Sequence, residues 1–123
     1  MRMSDVAISC RKSIIIGDYV TIGGDVIILD SNAHPLNWEA RRSETSTDIN
    51  KLKIKHADIV IEDDVFIGAR SIITKGVHIG ARSIIAAGSV VVCDIPSDEI
   101  WGGNPAHFLK KNKYLNFSLE KVQ

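Results

Sequence analysis

Cysteine, proline and aromatic residues are scarce in this chain of 123 residues, with two, three and seven of each, and the shortages are informative. Cys10 and Cys93 stand alone without a CxxC pair. That is too little for a disulfide framework or a zinc site, so both read as small apolar residues. Charge of one sign is also missing: 15 Lys and Arg face 15 Asp and Glu. No overall field draws the chain to nucleic acid or an anionic membrane, and any grip on phosphate must come from a local cluster. No run approaches the roughly 20 apolar residues that span a bilayer, and the opening MRMSD is polar rather than a leader. These absences predict a neutral cytoplasmic protein without a membrane span. The length suits a single domain, 1–123, because one core holds about 100–200 residues.

Isoleucine and valine are abundant, and their spacing is regular. An aliphatic residue returns every sixth position at Ile61, Ile67, Ile73, Ile79, Ile85 and Val91, and earlier at Ile16, Ile22 and Ile28. Chance would give six such consecutive hits roughly once in five thousand tries, so the period is a property of the fold. Gly follows the aliphatic residue at 17, 23, 68 and 80. The fifth residue of each unit is small or β-branched: Val20, Val26, Val65, Ser71, Val77, Ser83, Ser89 and Ile95. A helix repeats at 3.6 and a half-buried strand at 2, so a strict six predicts short strands joined by tight corners. Glycine suits such a corner because it adopts positive φ, while Val, Ile and Ser pack on a pleated inward surface. One coil cannot stand alone, because burying a side chain gains roughly what ordering a residue costs, and stability must come from stacking.

The beat fails once. The step from Ile28 to Ile61 is not a multiple of six, so an insertion over about 34–58 interrupts the coil. A loop that long in a compact domain is usually either functional or a mobile excursion. It opens with His34-Pro35 and holds Trp38, Arg41 and Arg42.

The repeat at residues 16–23, the break Asp30-Ser31-Asn32-Ala33-His34-Pro35 and the closing Gly102-Gly103-Asn104-Pro105-Ala106 stand in an order that resembles the hexapeptide-repeat acyltransferases. Within them the chain is similar to the galactoside/maltose and polysaccharide O-acetyltransferases. The resemblance covers residues 14 to about 111. It implies an all-β fold, a left-handed parallel β-helix with three hexapeptides to each three-sided coil, supplying about three to four coils and normally assembling as a homotrimer. The implied activity is acetyl transfer from acetyl-CoA to a hydroxyl of a sugar or polysaccharide precursor, directly within a ternary complex and with no metal. His34 takes the family's general base, because a sugar hydroxyl needs a proton acceptor in reach to attack a thioester at neutral pH. His56, His78 and His107 read as non-catalytic.

Asp30 and Asn32 either orient that imidazole, touch the acceptor or form an ordinary Asx turn. Trp38, Arg41 and Arg42 either line the acceptor pocket or anchor the loop. On the donor side the resemblance implies that Ala69 and Ala87 offer backbone groups to the thioester end and the pantetheine, Ala69 as the oxyanion donor. Phe66 walls the site, and Val92 and Cys93 lie by the pantetheine. Asn104, His107 and Lys110 belong to the closing segment, where family members meet the nucleotide phosphates. His107 replaces a usual basic residue there, and Lys110, Lys111 or Lys113 stand near enough in sequence to substitute. Leu115, Leu119 and Val122 recur at helical spacing and predict a short C-terminal helix within a cap over about 97–123.

Two other readings remain. A metalloenzyme resembling the gamma-class carbonic anhydrases needs three convergent imidazoles, and the four histidines lack that family's H-x4-H spacing. A non-catalytic scaffold needs only the coil. It is favoured by the degenerate units at Ser4 and Cys10, where typical acetyltransferases of this group carry further sequence that shapes the acceptor site.

Overall fold

The computed structural model describes residues 1–44 and 54–114. Short strands come round in threes. The first coil holds β1 (Arg2–Met3), β2 (Ala7–Ser9) and β3 (Ile14–Ile16), and the second β4 (Thr21–Ile22), β5 (Ile27–Leu29) and, after the insertion, β6 (Ile59–Ile61). The third holds β7 (Phe66–Ile67), β8 (Ile72–Ile73) and β9 (His78–Ile79). The fourth holds β10 (Ile84–Ile85) and β11 (Val90–Val91), its third side closed by a parallel bridge between Ile95 and Ile79. A hairpin of β12 (Glu99–Gly103) and β13 (Ala106–Lys111) ends the stack. Strands of successive coils pair in parallel into three faces: face A in the order β1-β4-β7-β10-β12-β13, face B in the order β11-β8-β5-β2 and face C in the order β3-β6-β9. The coil begins earlier than the motifs indicate, because the degenerate segment before residue 14 pairs as a first coil, Arg2 with Thr21 and Ala7 with Ile27.

The register locates the insertion. Ile72 pairs with Val90, three hexapeptides further along the chain. Ile27, by contrast, pairs with Ile72, a step far longer than one coil, so the excess chain leaves the stack between β5 and β6. Inside the stack the six-residue beat is literal: Ile61, Ile67, Ile73, Ile79, Ile85 and Val91 are fully buried, as are Val20, Val26, Ser71, Ser83 and Ser89. Each aliphatic rung is worth about 1.5–3 kcal/mol of burial. The serines fit this apolar column because each hydroxyl donates to a carbonyl three residues back, as Ser71 does to Gly68 at 2.8 Å.

The repeat glycines serve a different purpose from the one their sequence position indicates. Positive φ falls two residues further on, at Tyr19, Asp25, Asp64, Arg70, Gly76, Arg82 and Gly88. Gly23 and Gly68 are needed because the next coil passes too close for a side chain: a Cβ on Gly23 would lie 2.7 Å from the Ala69 nitrogen, and one on Gly68 2.5 Å from that of Ala87.

At the far end the β12–β13 hairpin covers the core. Trp101 packs against the buried cluster and meets Phe108 edge-on, with ring centroids 6.4 Å apart. Asn112 then fastens the chain back by donating through Nδ2 to the Arg82 carbonyl at 2.7 Å. Part of the expected C-terminal cap is thus an antiparallel hairpin. The helix expected from Leu115, Leu119 and Val122 lies outside the described residues.

Gly68→Ala is expected to lower the midpoint of thermal unfolding by about 5 °C or more, since overpacking costs about 1–3 kcal/mol. Gly24→Ala is expected to leave it in place, because its Cβ would meet only the Ser4 carbonyl oxygen, at 3.7 Å. Melting curves of the two variants against the parent check the contrast.

Candidate active site

The insertion leaves at the corner between faces B and C, and its base is tied down on both sides. The Ala57 amide donates to the Asp30 carbonyl at 2.9 Å, and the Asn32 amide to the Lys55 carbonyl at 3.0 Å, with Ser31 and His56 bridged antiparallel between them. The Gly76 amide of the coil above donates to the Ala57 carbonyl at 3.1 Å. Asp30 itself is fully buried. Its carboxylate accepts the amides of Arg11 and Lys12 at 2.8 Å and of Ser13 at 2.9 Å, with the Cys10 thiol at 3.7 Å. Burial alone would push this carboxyl up, but the three amides and the thiol outweigh it and hold the pKa below the ordinary carboxylate value. Asp30 therefore fastens the first coil to the loop base.

His34 stands four residues beyond that anchor. Its Nδ1 lies 2.9 and 3.1 Å from the two carboxylate oxygens of Glu44. The imidazole side chain is 63% exposed and that of Glu44 22%. Glu44 is thus the carboxylate beside the imidazole, and that of Asp30 is turned to the first coil. Between them runs the short helix α1 (Trp38–Arg42), capped by Asn37, whose side chain accepts the Ala40 amide at 2.8 Å. Arg41 Nη1 donates to the carbonyls of Pro35 and Leu36, both at 3.0 Å. Trp38 is 56% exposed, with the Arg42 guanidinium 5.0 Å from its ring centroid. The Asn32 side chain is half-buried and makes no hydrogen bond among the described residues.

The residues expected on the donor side fall elsewhere. Phe66 points outward from face A, 46% exposed. Ala69 and Ala87 sit one above the other at the corner between faces A and B, joined through the Gly88 amide, which donates to the Ala69 carbonyl at 2.8 Å. Both alanines are exposed, and their own amides donate to no other described residue. Val92 and Cys93 are exposed at the opposite end of face B, on the corner that carries the loop. Asn104 is in the β12–β13 turn, where His107 Nδ1 donates to the Pro105 carbonyl at 3.1 Å. Lys110 lies with its ammonium 5.9 Å from the Tyr114 ring centroid. His78 on β9 is paired with Glu62 of the neighbouring coil. Among the described residues no three His, Cys, Asp or Glu side chains converge as a metal site.

A parallel coil of six-residue units, broken once by a loop that carries an imidazole–carboxylate pair, defines a hexapeptide-repeat β-helix with a candidate active site. The family description "Hexapeptide repeat of succinyl-transferase" matches residues 58–93. A hexapeptide-repeat acetyltransferase from Vibrio cholerae, solved with acetyl-CoA, is 32% identical; the match covers 90% of this chain and 70% of that one, with a TM-score of 0.63. A maltose O-acetyltransferase from Clostridium difficile is 28% identical, covering 89% of this chain and 66% of that one, with a TM-score of 0.65. Curated relatives match over less than half of the chain. A tetrahydropyridine-dicarboxylate N-acetyltransferase of Clostridium perfringens is 53% identical over 51 residues, 42% of this chain and 22% of its own length. A mitochondrial gamma carbonic anhydrase of Arabidopsis thaliana is 45% identical over 53 residues, 42% of this chain and 19% of its own length. The chain thus spans about a fifth of the curated relatives it matches. It belongs to the hexapeptide-repeat acetyltransferase family.

Asp30→Asn sets an NH2 group against backbone donors and is expected to cost about 2–3 kcal/mol. Because the folded pKa lies below the unfolded one, the carboxylate's contribution is complete above the unfolded value of about 3.9 and disappears as pH falls through the folded value. Chemical denaturation across acid pH is expected to show that loss in the parent and not in the variant.

Proposed function

We propose that the chain is an acetyl-CoA-dependent acyltransferase, with a left-handed coil like others of its family, that acetylates a hydroxyl of a sugar or polysaccharide precursor. The observation that carries this reading is the His34–Glu44 pair. With Glu44 accepting the proton on Nδ1, the tautomer is set and the Nε2 lone pair is left to work as a base. His34 Nε2 takes the acceptor's hydroxyl proton as that oxygen bonds to the thioester carbonyl carbon. The Ala69 amide donates to the resulting oxyanion. The carbon–sulfur bond then breaks, and His34 returns the proton to the departing CoA thiolate, so no acyl-enzyme forms and no metal takes part.

Acetyl-CoA suits the corner between faces A and B, where Ala69 and Ala87 are exposed and their amides donate to no other described residue. That corner and the loop corner lie at opposite ends of face B. One hexapeptide separates them, roughly 20 Å at about 3.3 Å per residue. The base of one copy therefore meets the oxyanion donor of a neighbour, and a homotrimer places three such seams. Trp38 and Asn32 flank the acceptor side, Asn104, His107 and Lys110 follow the CoA arm, and Val92 and Cys93, on the loop corner, reach the CoA arm held by the neighbouring copy. The cytoplasm, where acetyl-CoA is made available, is the compartment for the reaction. An amine acceptor is the second reading, supported by the N-acetyltransferase relative, since the same pair takes a proton from an amine.

His34→Ala is expected to reduce acetyl transfer by about 10²–10⁴-fold with an unchanged melting curve. Free thiol release from acetyl-CoA with a panel of sugars and amino sugars measures it and identifies the acceptor. A variant that turns over at the parent rate removes His34 from the chemistry, and a parent without activity on any acceptor favours a scaffold.

A further inference from the structure

We infer that Arg41 is a positioning residue for the catalytic base rather than an acceptor ligand, an inference that rests on His34 being that base. An exposed imidazole–carboxylate pair is weak by itself, because ordering two side chains costs nearly what the contact gains. Something must already hold the two ends of the pair at the right separation. Residues 34–44 do this as a closed circuit. The Arg41 guanidinium donates to the Pro35 and Leu36 carbonyls at 3.0 Å each, fixing the backbone immediately after His34. The carbonyl of the same Arg41 accepts the Glu44 amide at 3.3 Å, and the Ser43 amide donates to the Glu39 carbonyl at 3.1 Å. Those contacts set where Glu44 begins, and its carboxylate returns to His34 Nδ1 at 2.9 Å.

Among the described residues, Arg41 bonds to both halves of the circuit. Its side chain fixes the imidazole's end and its backbone fixes the carboxylate's end. The bonds to Pro35 and Leu36 are charge-assisted and therefore stronger than neutral ones. The two bonds from Nη1 hold the guanidinium against the loop's own backbone. Asn37 supports the arrangement by capping α1, which sets the turn of helix that carries Arg41 back over Pro35.

Steady-state kinetics of Arg41→Met and Arg41→Lys test the inference. Arg41→Met keeps length and removes the donors. It is expected to lower kcat by about ten- to a hundred-fold, the scale of a misplaced reacting group, with little change in KM for acceptor or acetyl-CoA. Arg41→Lys, which retains charge and donors, is expected to recover part of that loss. In a His34→Ala background Arg41→Met is expected to change nothing further. The 15N spectrum of His34 is expected to move from a single tautomer to a mixture in Arg41→Met, a readout that a purely structural contact elsewhere would not shift. A raised acceptor KM with kcat intact, or a further loss on top of His34→Ala, would overturn the inference and make Arg41 an acceptor ligand. Parental activity in His34→Ala alone would instead overturn the reading beneath it.

Discussion

The constraint on which the molecule depends is the distance between one coil and the next. Backbone lies against backbone at the corners, so closely that Gly23 and Gly68 have no room for a Cβ. That approach lets strands of two or three residues pair, and it stacks Ile61, Ile67, Ile73, Ile79, Ile85 and Val91 into buried columns. Short strands have little stability singly. The repeated rung makes each one the floor of the next, which is the logic of any solenoid.

A stack so regular leaves few places for chemistry. Its faces present very short strands, and its corners turn at every hexapeptide. The insertion between β5 and β6 is the exception, and the fold accommodates it without losing register because Asp30 and Ala57 close its base where the coil resumes. Rigidity passes from the coil to the loop through that closure. The buried Asp30 carboxylate extends it to the first coil by gathering the amides of residues 11–13.

The coil was legible because burial leaves a period, and a period of six excludes both helix and long strand. The break was legible for the same reason, as a failure of that period, and the role given to His34 there comes from the family resemblance. Glu44 was not legible: its bond to His34 spans ten residues and depends on a five-residue helix with no buried face to leave a pattern. Asn37 as a cap was the available signal for that helix. The sequence leaves Asp30 open between an orienting group, an acceptor contact and an Asx turn, and only the structure shows its carboxylate turned to the first coil. Freedom at positive φ is the familiar reason for a corner glycine, whereas the partner of Gly23 and Gly68 is a backbone many residues away that spacing alone cannot reveal. The N-terminal coil shows in the sequence only as degenerate units at Ser4 and Cys10 because its steps depart from three hexapeptides, Arg2 pairing with Thr21 and Ala7 with Ile27.

The central claim is that base and oxyanion donor, held at opposite ends of face B, are brought together by two copies of the chain. Coexpression of two inactive variants tests it most directly, His34→Ala with Ala69→Trp, the latter filling the space over the amide. Mixed assemblies contain seams where an intact His34 meets an intact Ala69, and the account predicts that acetyl transfer returns in them, although each variant alone is inactive. Mixed assemblies as inactive as their parents would contradict it and place the whole site within one chain.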